Sequence, residues 1–465
     1  MIPPAGSRPP PVTHPPVVRP PVIRPPVIRP PVIREDVTRA RHLLARARAA
    51  AAPGRFRRAR LFWLLAGPGV LVFLGENDAP SMLSYAASGA RFGVGFFLPF
   101  IVVTFAVGFV VQEMAARIGA ASGHGHAALI YARFGRFWGN FAMADLLVGN
   151  LLTLVTEFIG IRAGLGYFGI PAVFAVGASV IVVAAVAATA RYALWERITL
   201  GLAFGNAVFV PVALWTHPDW SAVGHAMLTW SPLPGGVTHD SILLMMADIG
   251  ATVTPWMLFF QQGAVADKGL EAADIGAARL DTALGAVLAA VFGIAGVLAA
   301  APLFHSGISA ANFEAAQFAE ALAPLIGPAG AALFALGIFE AGLVAAITIA
   351  TASAYAFGEV ARRSHSLNAP LHEAVPFYAV MLGSIALAGA VVLIPGAPLE
   401  TIVLIVNVIA TLAMPPALMF LLLLANDPEI MGPWRNTLAW NIAGIGVTVL
   451  LVAAGIGYAV SVVGG

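Results

Sequence analysis

The sequence predicts an all-α polytopic membrane protein with eleven transmembrane helices. Of its 465 residues, 59% are hydrophobic and only 10% are charged, whereas about 25% are charged in a typical soluble domain. Apolar segments of about 20 residues, the length that crosses the hydrocarbon core as a helix, recur along the chain. Because backbone in lipid must satisfy its own hydrogen bonds, and these segments are longer than barrel strands, we expect helices.

The N-terminal region differs in composition from the rest of the chain. Residues 15–34 repeat the unit PPVVR or PPVIR, and proline blocks both helix and sheet. We therefore expect residues 1–60 to form a disordered, Pro/Arg-rich cytoplasmic tail, followed by a transmembrane domain over 61–465. The tail lacks the apolar core of a signal peptide, and the chain has no cysteine, which excludes disulfides and thiolate metal sites.

The predicted spans form two groups of five with one additional helix. The first group covers about 61–217, the second about 238–424, and span eleven about 437–462. The limits of the individual spans are 62–90, 94–118, 139–161, 170–190, 195–215, 239–266, 281–304, 328–356, 372–394, 400–424 and 437–462.

The distribution of basic residues predicts how the spans are oriented. Thirteen arginines precede span one, and one set of alternate loops holds ten further Lys and Arg residues, whereas the opposite set holds only Arg91 and Arg162. Cytoplasmic loops retain Lys and Arg. We therefore expect a multi-pass protein of the plasma (inner) membrane, with a cytoplasmic N-terminus and an external C-terminus.

Span one is interrupted by an acidic stretch. The segment LGENDAPSML places Glu76, Asn77 and Asp78 in a row, shortly before Pro80. Proline removes a backbone donor, and the bare backbone of a broken helix is tolerated in a membrane only where it lines a site or packs in protein. Because Asp at a helix centre costs about 2.5–3.5 kcal/mol, the charge indicates a function.

Span six carries a second interruption at the matching position of the second group. Pro255 follows Gly250, Thr252 and Thr254, and Asp248 lies one turn earlier. Interrupted helices at corresponding positions of two halves indicate an inverted-repeat transporter that binds its substrate between the breaks. Carbonyl oxygens freed by the breaks, together with a nearby carboxylate, favour a cation as that substrate.

At these two motifs the chain resembles the Nramp family of divalent-metal transporters. That family carries Asp-Pro-Gly-Asn in span one and Ala-x-x-Met-Pro-His in span six. This chain has Asp78-Ala79-Pro80-Ser81 and Ala251-Thr252-Val253-Thr254-Pro255-Trp256. Further similar stretches are QEMAARIG (112–119), TEFIG (156–160), HPDW (217–220), RLDTALGA (279–286) and LAMPPALMFLLLLAND (412–427), so the resemblance runs from about 61 to 463.

The resemblance implies a LeuT-like fold, with two inverted five-helix repeats plus one extra helix, and transport by alternating access. The sequence contains no nucleophile–base constellation and no nucleotide-binding loop, so we expect no enzymatic activity. The expected partners are the transported divalent ion, as substrate, and the lipid bilayer, with no cofactor and no nucleic acid. By position, the ion ligands would be Asp78, Ser81, Thr254 and the backbone carbonyls of Ala79 and Ala251, with Asn407 standing where span ten usually offers Gln.

Three departures from the family pattern bear on the ion and on proton coupling. Thr254 replaces a methionine, so a hard hydroxyl suited to Mg²⁺, Ca²⁺ or Mn²⁺ stands in place of a soft thioether. Trp256 and Gln261 replace two histidines that resemble proton carriers, and neither titrates near neutrality. Leu154 replaces an acidic residue of span three, although Glu157 remains.

These departures resemble the Nramp-related magnesium transporters, a branch that is not proton-coupled. We therefore expect Mg²⁺ or Mn²⁺ as the ion, with weak or absent proton coupling. A plant branch that carries trivalent aluminium also lacks the methionine, so this loss alone leaves the ion open.

Several other polar residues remain as candidates for the ion path or the surroundings of the site. They are Glu76, Asp248, Glu157, Trp256 and Gln261. Alternative roles are a cap or pair for Glu76 and a structural hydrogen bond for Asp248, and the resemblance implies a proton or salt-bridge network for Glu157. His124 and His126 are expected in a solvated loop, and Glu340 has no assigned role. Two rival functions stay open, namely a LeuT-like carrier of a small organic cation and a non-transporting metal-binding receptor.

Overall fold

The computed structural model describes residues 41–42, 44–45, 66–305, 315–396 and 399–464. The predicted tail therefore lies almost entirely outside the described residues. Within these ranges the chain contains no β-strand. The α-helices from residue 66 onward are α1 Pro68–Glu76, α2 Ala79–Phe92, α3 Phe97–Ser122, α4 His126–Phe134, α5 Arg136–Gly166, α6 Ala172–Ala187, α7 Tyr192–Ala203, α8 Phe209–Trp215, α9 Trp220–Thr229, α10 His239–Gly250, α11 Pro255–Lys268, α12 Ile275–Ala300, α13 Ala315–Ala361, α14 Val375–Val392, α15 Leu399–Asn426, α16 Pro428–Met431 and α17 Leu438–Gly464.

Each of the eleven predicted spans has a helix or a helix pair at its position. Nine helical segments in the described ranges are long and apolar enough to cross a bilayer. The remaining two spans correspond to the interrupted pair α1 and α2 and to α6, an apolar helix of 16 residues. The short helices α4, α9 and α16 lie in the connections between spans.

Helical distortions occur in four spans. Spans one and six break between α1 and α2 and between α10 and α11, as the two motifs predict. Span five contains a 3₁₀ segment, Phe204–Val208, between α7 and α8. Helix α13 bends at Gly327, whose φ of 73° no helix can accommodate, and the predicted span eight begins at the next residue, Pro328.

The start of α2 is wedged between two neighbouring helices. A Cβ built on Gly160 of α5 would lie 2.2 Å from the Cβ of Ala79, and one built on Gly342 of α13 would lie 3.4 Å from it. Small residues allow close approach of helices in membranes. The glycines thus hold the broken backbone of span one against α5 and α13.

The N-terminal end of α1 is anchored by buried charged groups. The N–H groups of Gly67 and Gly69 donate to Oδ1 and Oδ2 of Asp281 at 2.9 and 2.6 Å. The ammonium group of Lys268 donates to the carbonyl of Ala66 at 2.6 Å and to both carboxylate oxygens of Glu196 at 2.8 and 2.9 Å. A carboxylate at a helix N-terminus also complements the helix dipole. These bonds fix the direction in which α1 enters the bundle.

Asp281→Ala should lower the free energy of unfolding by about 2 kcal/mol, because it removes the charged acceptor of two buried N–H groups. The measurement is unfolding of the purified protein in mixed micelles by titration with SDS. Glu429→Ala is the control, since it removes an exposed carboxylate that pairs with Arg133, and exposed pairs contribute about 0–1 kcal/mol. Equal stability of both variants would contradict the anchoring role.

Candidate cation site

Span one breaks where an aspartate begins a new helix. Helix α1 ends at Glu76, and Asn77 leaves the helical range with φ −74° and ψ 52°. Asp78 is extended, and its Oδ1 accepts the N–H of Ser81 at 2.8 Å as the N-cap of α2. Pro80 lies in the first turn of α2, where its missing N–H leaves no bond unmade. The proline therefore marks the start of the second half-helix.

Polar side chains from two other spans satisfy the backbone at this break. The amide Nδ2 of Asn206, in the 3₁₀ segment of span five, donates to the carbonyls of Leu74 and Asn77 at 3.0 and 3.2 Å. The N–H of Ala79 donates to Oε2 of Glu157 on α5 at 3.2 Å. The break is thus held from both sides, and its carbonyls keep a lone pair each.

The second break spans the four residues between α10 and α11. Helix α10 ends at Gly250, and α11 starts at Pro255. The hydroxyl of Tyr85 on α2 donates to the carbonyl of Ala251 at 2.7 Å. Thr254 is extended (φ −119°, ψ 154°), the conformation favoured before proline. Its side chain therefore projects from irregular backbone and not from a helix face.

A hydrogen bond joins the two breaks. The hydroxyl of Thr254 donates to Oε2 of Glu76 at 2.9 Å, and both side chains are buried. The indole of Trp256 lies close to the same point, since its Cη2 would be 3.4 Å from a Cβ built on Gly75. The structure thus brings together the two interrupted segments that the sequence places at matching positions.

Buried oxygen atoms without a hydrogen-bond partner surround the first break. They are Oε1 of Glu76, Oδ1 of Asn77, Oε1 of Glu157 and Oδ1 of Asn206. Buried polar atoms are usually paired, and oxygen donors of this kind suit a hard cation. No group of three or more His, Cys, Asp or Glu side chains in the described ranges is arranged to hold a metal ion. A bound ion would therefore depend on neutral oxygens as well as on carboxylates.

The remaining predicted site residues lie in different places relative to the breaks. Ser81 is buried in the first turn of α2, beside the break. Gln261 lies farther along α11, and its Nε2 donates to Oγ1 of Thr282 on α12 at 3.2 Å. Asn407 lies on α15, but its side chain is outside the described residues. The structure therefore gathers the break residues and leaves Gln261 directed towards α12.

Asp248 connects α10 to α2 next to the site. Its two carboxylate oxygens accept from the hydroxyls of Ser84 and Ser88 at 2.6 and 2.7 Å. The serines are four residues apart and lie on one face of α2. Both oxygens are engaged in the link between the half-helices.

A cavity adjoins the second break on the side of α5 and α15. Its lining includes Thr254 and Trp256 at the break, Asn150 and Asp145 along α5, and Ala410 on α15. The cavity runs from the break towards the half of α5 that follows Arg136. Its walls are mostly apolar, with Asp145, Asn150 and Thr254 among the few polar side chains.

The expected solvated position of His126 is wrong. His126 begins α4, is fully buried, and meets the ring of Phe259 edge-on with 4.9 Å between centroids. Its Nδ1 lies 3.0 Å from Oε1 of Gln262. Burial lowers the pKa of His126 to about 4, so the imidazole is neutral at pH 7. The connection folds back onto α11, which the loop composition does not reveal.

Two residues that hold the site were missed by the sequence analysis. Asn206 satisfies the first break and Tyr85 the second. An asparagine in the apolar run GLAFGNAVFV was a visible signal, because polar side chains inside spans usually have a partner. Tyr85 gave no comparable signal, since a tyrosine is ordinary in a membrane helix.

Comparison with known proteins supports the family resemblance. The family model described as "Natural resistance-associated macrophage protein-like" (Nramp) matches residues 69–461 of this chain. The "Divalent metal cation transporter MntH" of Yersinia enterocolitica is 24% identical over 400 residues, covering 84% of this chain and 93% of that protein.

Solved structures support the fold. The manganese transporter of Eremococcus coleocola, in complex with an aromatic bis-isothiourea substituted compound, matches with a TM-score of 0.70 at 19% identity over 87% of each chain. A Na⁺-coupled sialic acid symporter in a substrate-bound outward-open state matches with a TM-score of 0.53 at 12% identity, over 91% of this chain and 96% of that one. These matches confirm the LeuT-like, all-α membrane fold, and the span of the family match shows that the chain belongs to the Nramp family.

Proposed function

We propose that this protein is a secondary transporter that moves divalent metal cations, Mg²⁺ or Mn²⁺ above all, across the plasma membrane by alternating access. The observation that carries the proposal is the junction of the two helix breaks, where Glu76 and Thr254 meet at 2.9 Å beside buried oxygens without partners. The names of the relatives, a divalent metal cation transporter and a manganese transporter, support the same class of substrate.

The proposed ligands all present oxygen. Asp78 would supply the charge, and Ser81 and Thr254 would supply hydroxyl oxygens. Ala79 and Ala251 would contribute backbone carbonyls, and Asn407 of span ten a side-chain oxygen. Hard donors of this type favour Mg²⁺ and Mn²⁺ over softer transition metals, and Mg²⁺ commonly keeps several of its waters.

The driving force would be the membrane potential. An inside-negative potential contributes about 2.3 kcal/mol per charge per 100 mV, and twice that for a divalent ion. Because this potential drives cations inward, we expect uptake into the cell. The hydrogen bond of Gln261 to Thr282, together with Trp256 and Leu154, supports transport that is weakly or not at all coupled to protons, because none of these side chains titrates near neutrality.

Asp78→Asn should reduce uptake of Mn²⁺ into proteoliposomes by on the order of a hundredfold, because the ion loses its counter-charge in a low-dielectric site. Asparagine can still accept the N–H of Ser81, so the cap of α2 is retained. Asp219→Asn, at the exposed cap of α9, is the matched control. Unchanged uptake by Asp78→Asn would end the assignment of this site.

Thr254→Met should shift selectivity towards Cd²⁺ or Mn²⁺ over Mg²⁺ by about tenfold, equivalent to about 1.4 kcal/mol, because a thioether prefers softer ions. Competition between metals for uptake measures the ratio. Thr254→Val removes the hydroxyl without adding sulfur, so it should weaken uptake without the shift. A ratio equal to that of the unmodified protein would refute the ligand role of Thr254.

Metal entry should not acidify the vesicle interior. A trapped pH-sensitive dye, read while the membrane potential is clamped with valinomycin and K⁺, measures proton entry alongside metal flux. Vesicles without protein give the baseline leak. Acidification in proportion to the metal transported would show stoichiometric coupling and overturn this part of the proposal.

A further inference from the structure

Glu76 occupies a position that the family motif does not assign to an ion ligand. It is the last residue of α1, lies two residues before Asp78, and has no exposed surface. Its Oε2 accepts the hydroxyl of Thr254, whereas its Oε1 has no partner. One carboxylate thus spans the gap between the two breaks and keeps one oxygen available.

The hydrogen bond also determines what Thr254 offers. A hydroxyl group has one proton and two lone pairs. Because the proton of Thr254 is directed to Glu76, the lone pairs remain for a ligand. Lone pairs can bind a cation. The bond to Glu76 therefore orients the hydroxyl of Thr254 so that its oxygen can act as a ligand for a cation.

Within the described ranges, no positive side chain forms an ion pair with the three acids at the first break, Glu76, Asp78 and Glu157. If Glu76 only held Thr254 in place, a neutral glutamine would accept the same hydrogen bond without the cost of an acid inside the membrane. The choice of an acid therefore indicates a positive ligand.

Two neutral side chains at the same break point to the same ligand. Oδ1 of Asn77 and Oδ1 of Asn206 are buried and unpaired, although the Nδ2 atom of each amide is bonded, to Ala289 and to the break carbonyls. The bonded Nδ2 atoms fix both amides in place. These fixed amides present oxygen, not N–H, as the unsatisfied group, which suits a cation.

We infer that Glu76 is a second anionic ligand of the transported ion, binding it through Oε1 while Oε2 orients Thr254. This inference rests on the proposed function. Glu76 and Asp78 would then supply two of the carboxylates around a divalent cation, with Glu157 beside them.

The test uses the purified full-length chain and measures Mn²⁺ binding by isothermal titration calorimetry and Mn²⁺ uptake in proteoliposomes. Glu76→Gln keeps an acceptor for Thr254 but removes the charge, and it should weaken Mn²⁺ binding by on the order of tenfold to a hundredfold. Glu359→Gln, which neutralises another buried carboxyl near the end of α13, where it accepts the N–H of Ala128 on α4, should bind Mn²⁺ as the unmodified protein does.

A double-mutant cycle separates binding from mere support of Thr254. Thr254→Val already lacks the hydrogen bond to Glu76. The double variant Thr254→Val, Glu76→Gln should nevertheless bind Mn²⁺ at least tenfold more weakly than Thr254→Val alone. A double variant no weaker than Thr254→Val alone would overturn the ligand role. Normal binding by Glu76→Gln together with loss of uptake in Asp78→Asn would refute this inference and leave the proposed function standing. Normal behaviour of both variants would refute the proposed function itself.

Discussion

The structure depends on hydrogen-bond partners for the backbone groups that the two helix breaks leave unpaired in the middle of a membrane. A helix that stops in hydrocarbon exposes carbonyls and N–H groups that no water can reach, and each costs several kcal/mol if unpaired. Here the side-chain amide of Asn206 donates to two carbonyls of the first break, and the carboxylate of Glu157 accepts the N–H of Ala79 on the other side. The irregular backbone persists because neighbouring spans supply these partners.

The same arrangement concentrates negative charge and unshared oxygen at one point. Asp78 caps α2, Glu157 accepts from the start of α2, and Glu76 reaches across to Thr254. Each acid has a structural bond, and two of them also have an oxygen without a partner. The hydrogen bonds therefore occupy only some of the oxygen atoms at the break, and they hold these side chains in place by themselves.

The sequence predicts the fold well because its strongest signals are long and repeated. Eleven apolar segments and two proline-containing breaks are visible without any tertiary information, and the matched folds confirm the class. The meeting of the breaks also follows from their matching positions. The contact between Glu76 and Thr254 does not follow from the sequence. A broken helix has no regular period, so the direction of a side chain at the break cannot be predicted from its place in the chain.

Other parts of the site could not be predicted for different physical reasons. The hydrogen bond from Tyr85 to Ala251 depends on how α2 crosses the second break, which is a tertiary property. Asp248 could be identified as important, but only the structure shows that both its oxygens are occupied by Ser84 and Ser88. His126 is buried because a connecting helix packs inward, and polar loop composition carries no information about that packing.

The buried anchor at the N-terminal end of α1 has a consequence for the kinetics of the protein. Asp281 and Lys268 hold three backbone groups at the start of α1, those of Ala66, Gly67 and Gly69, through short, charge-assisted bonds. A swing of this half-helix would have to release those bonds nearly together, since none can stretch far without exposing a charge. Movement of this half-helix would therefore have a high activation enthalpy and a steep dependence on temperature.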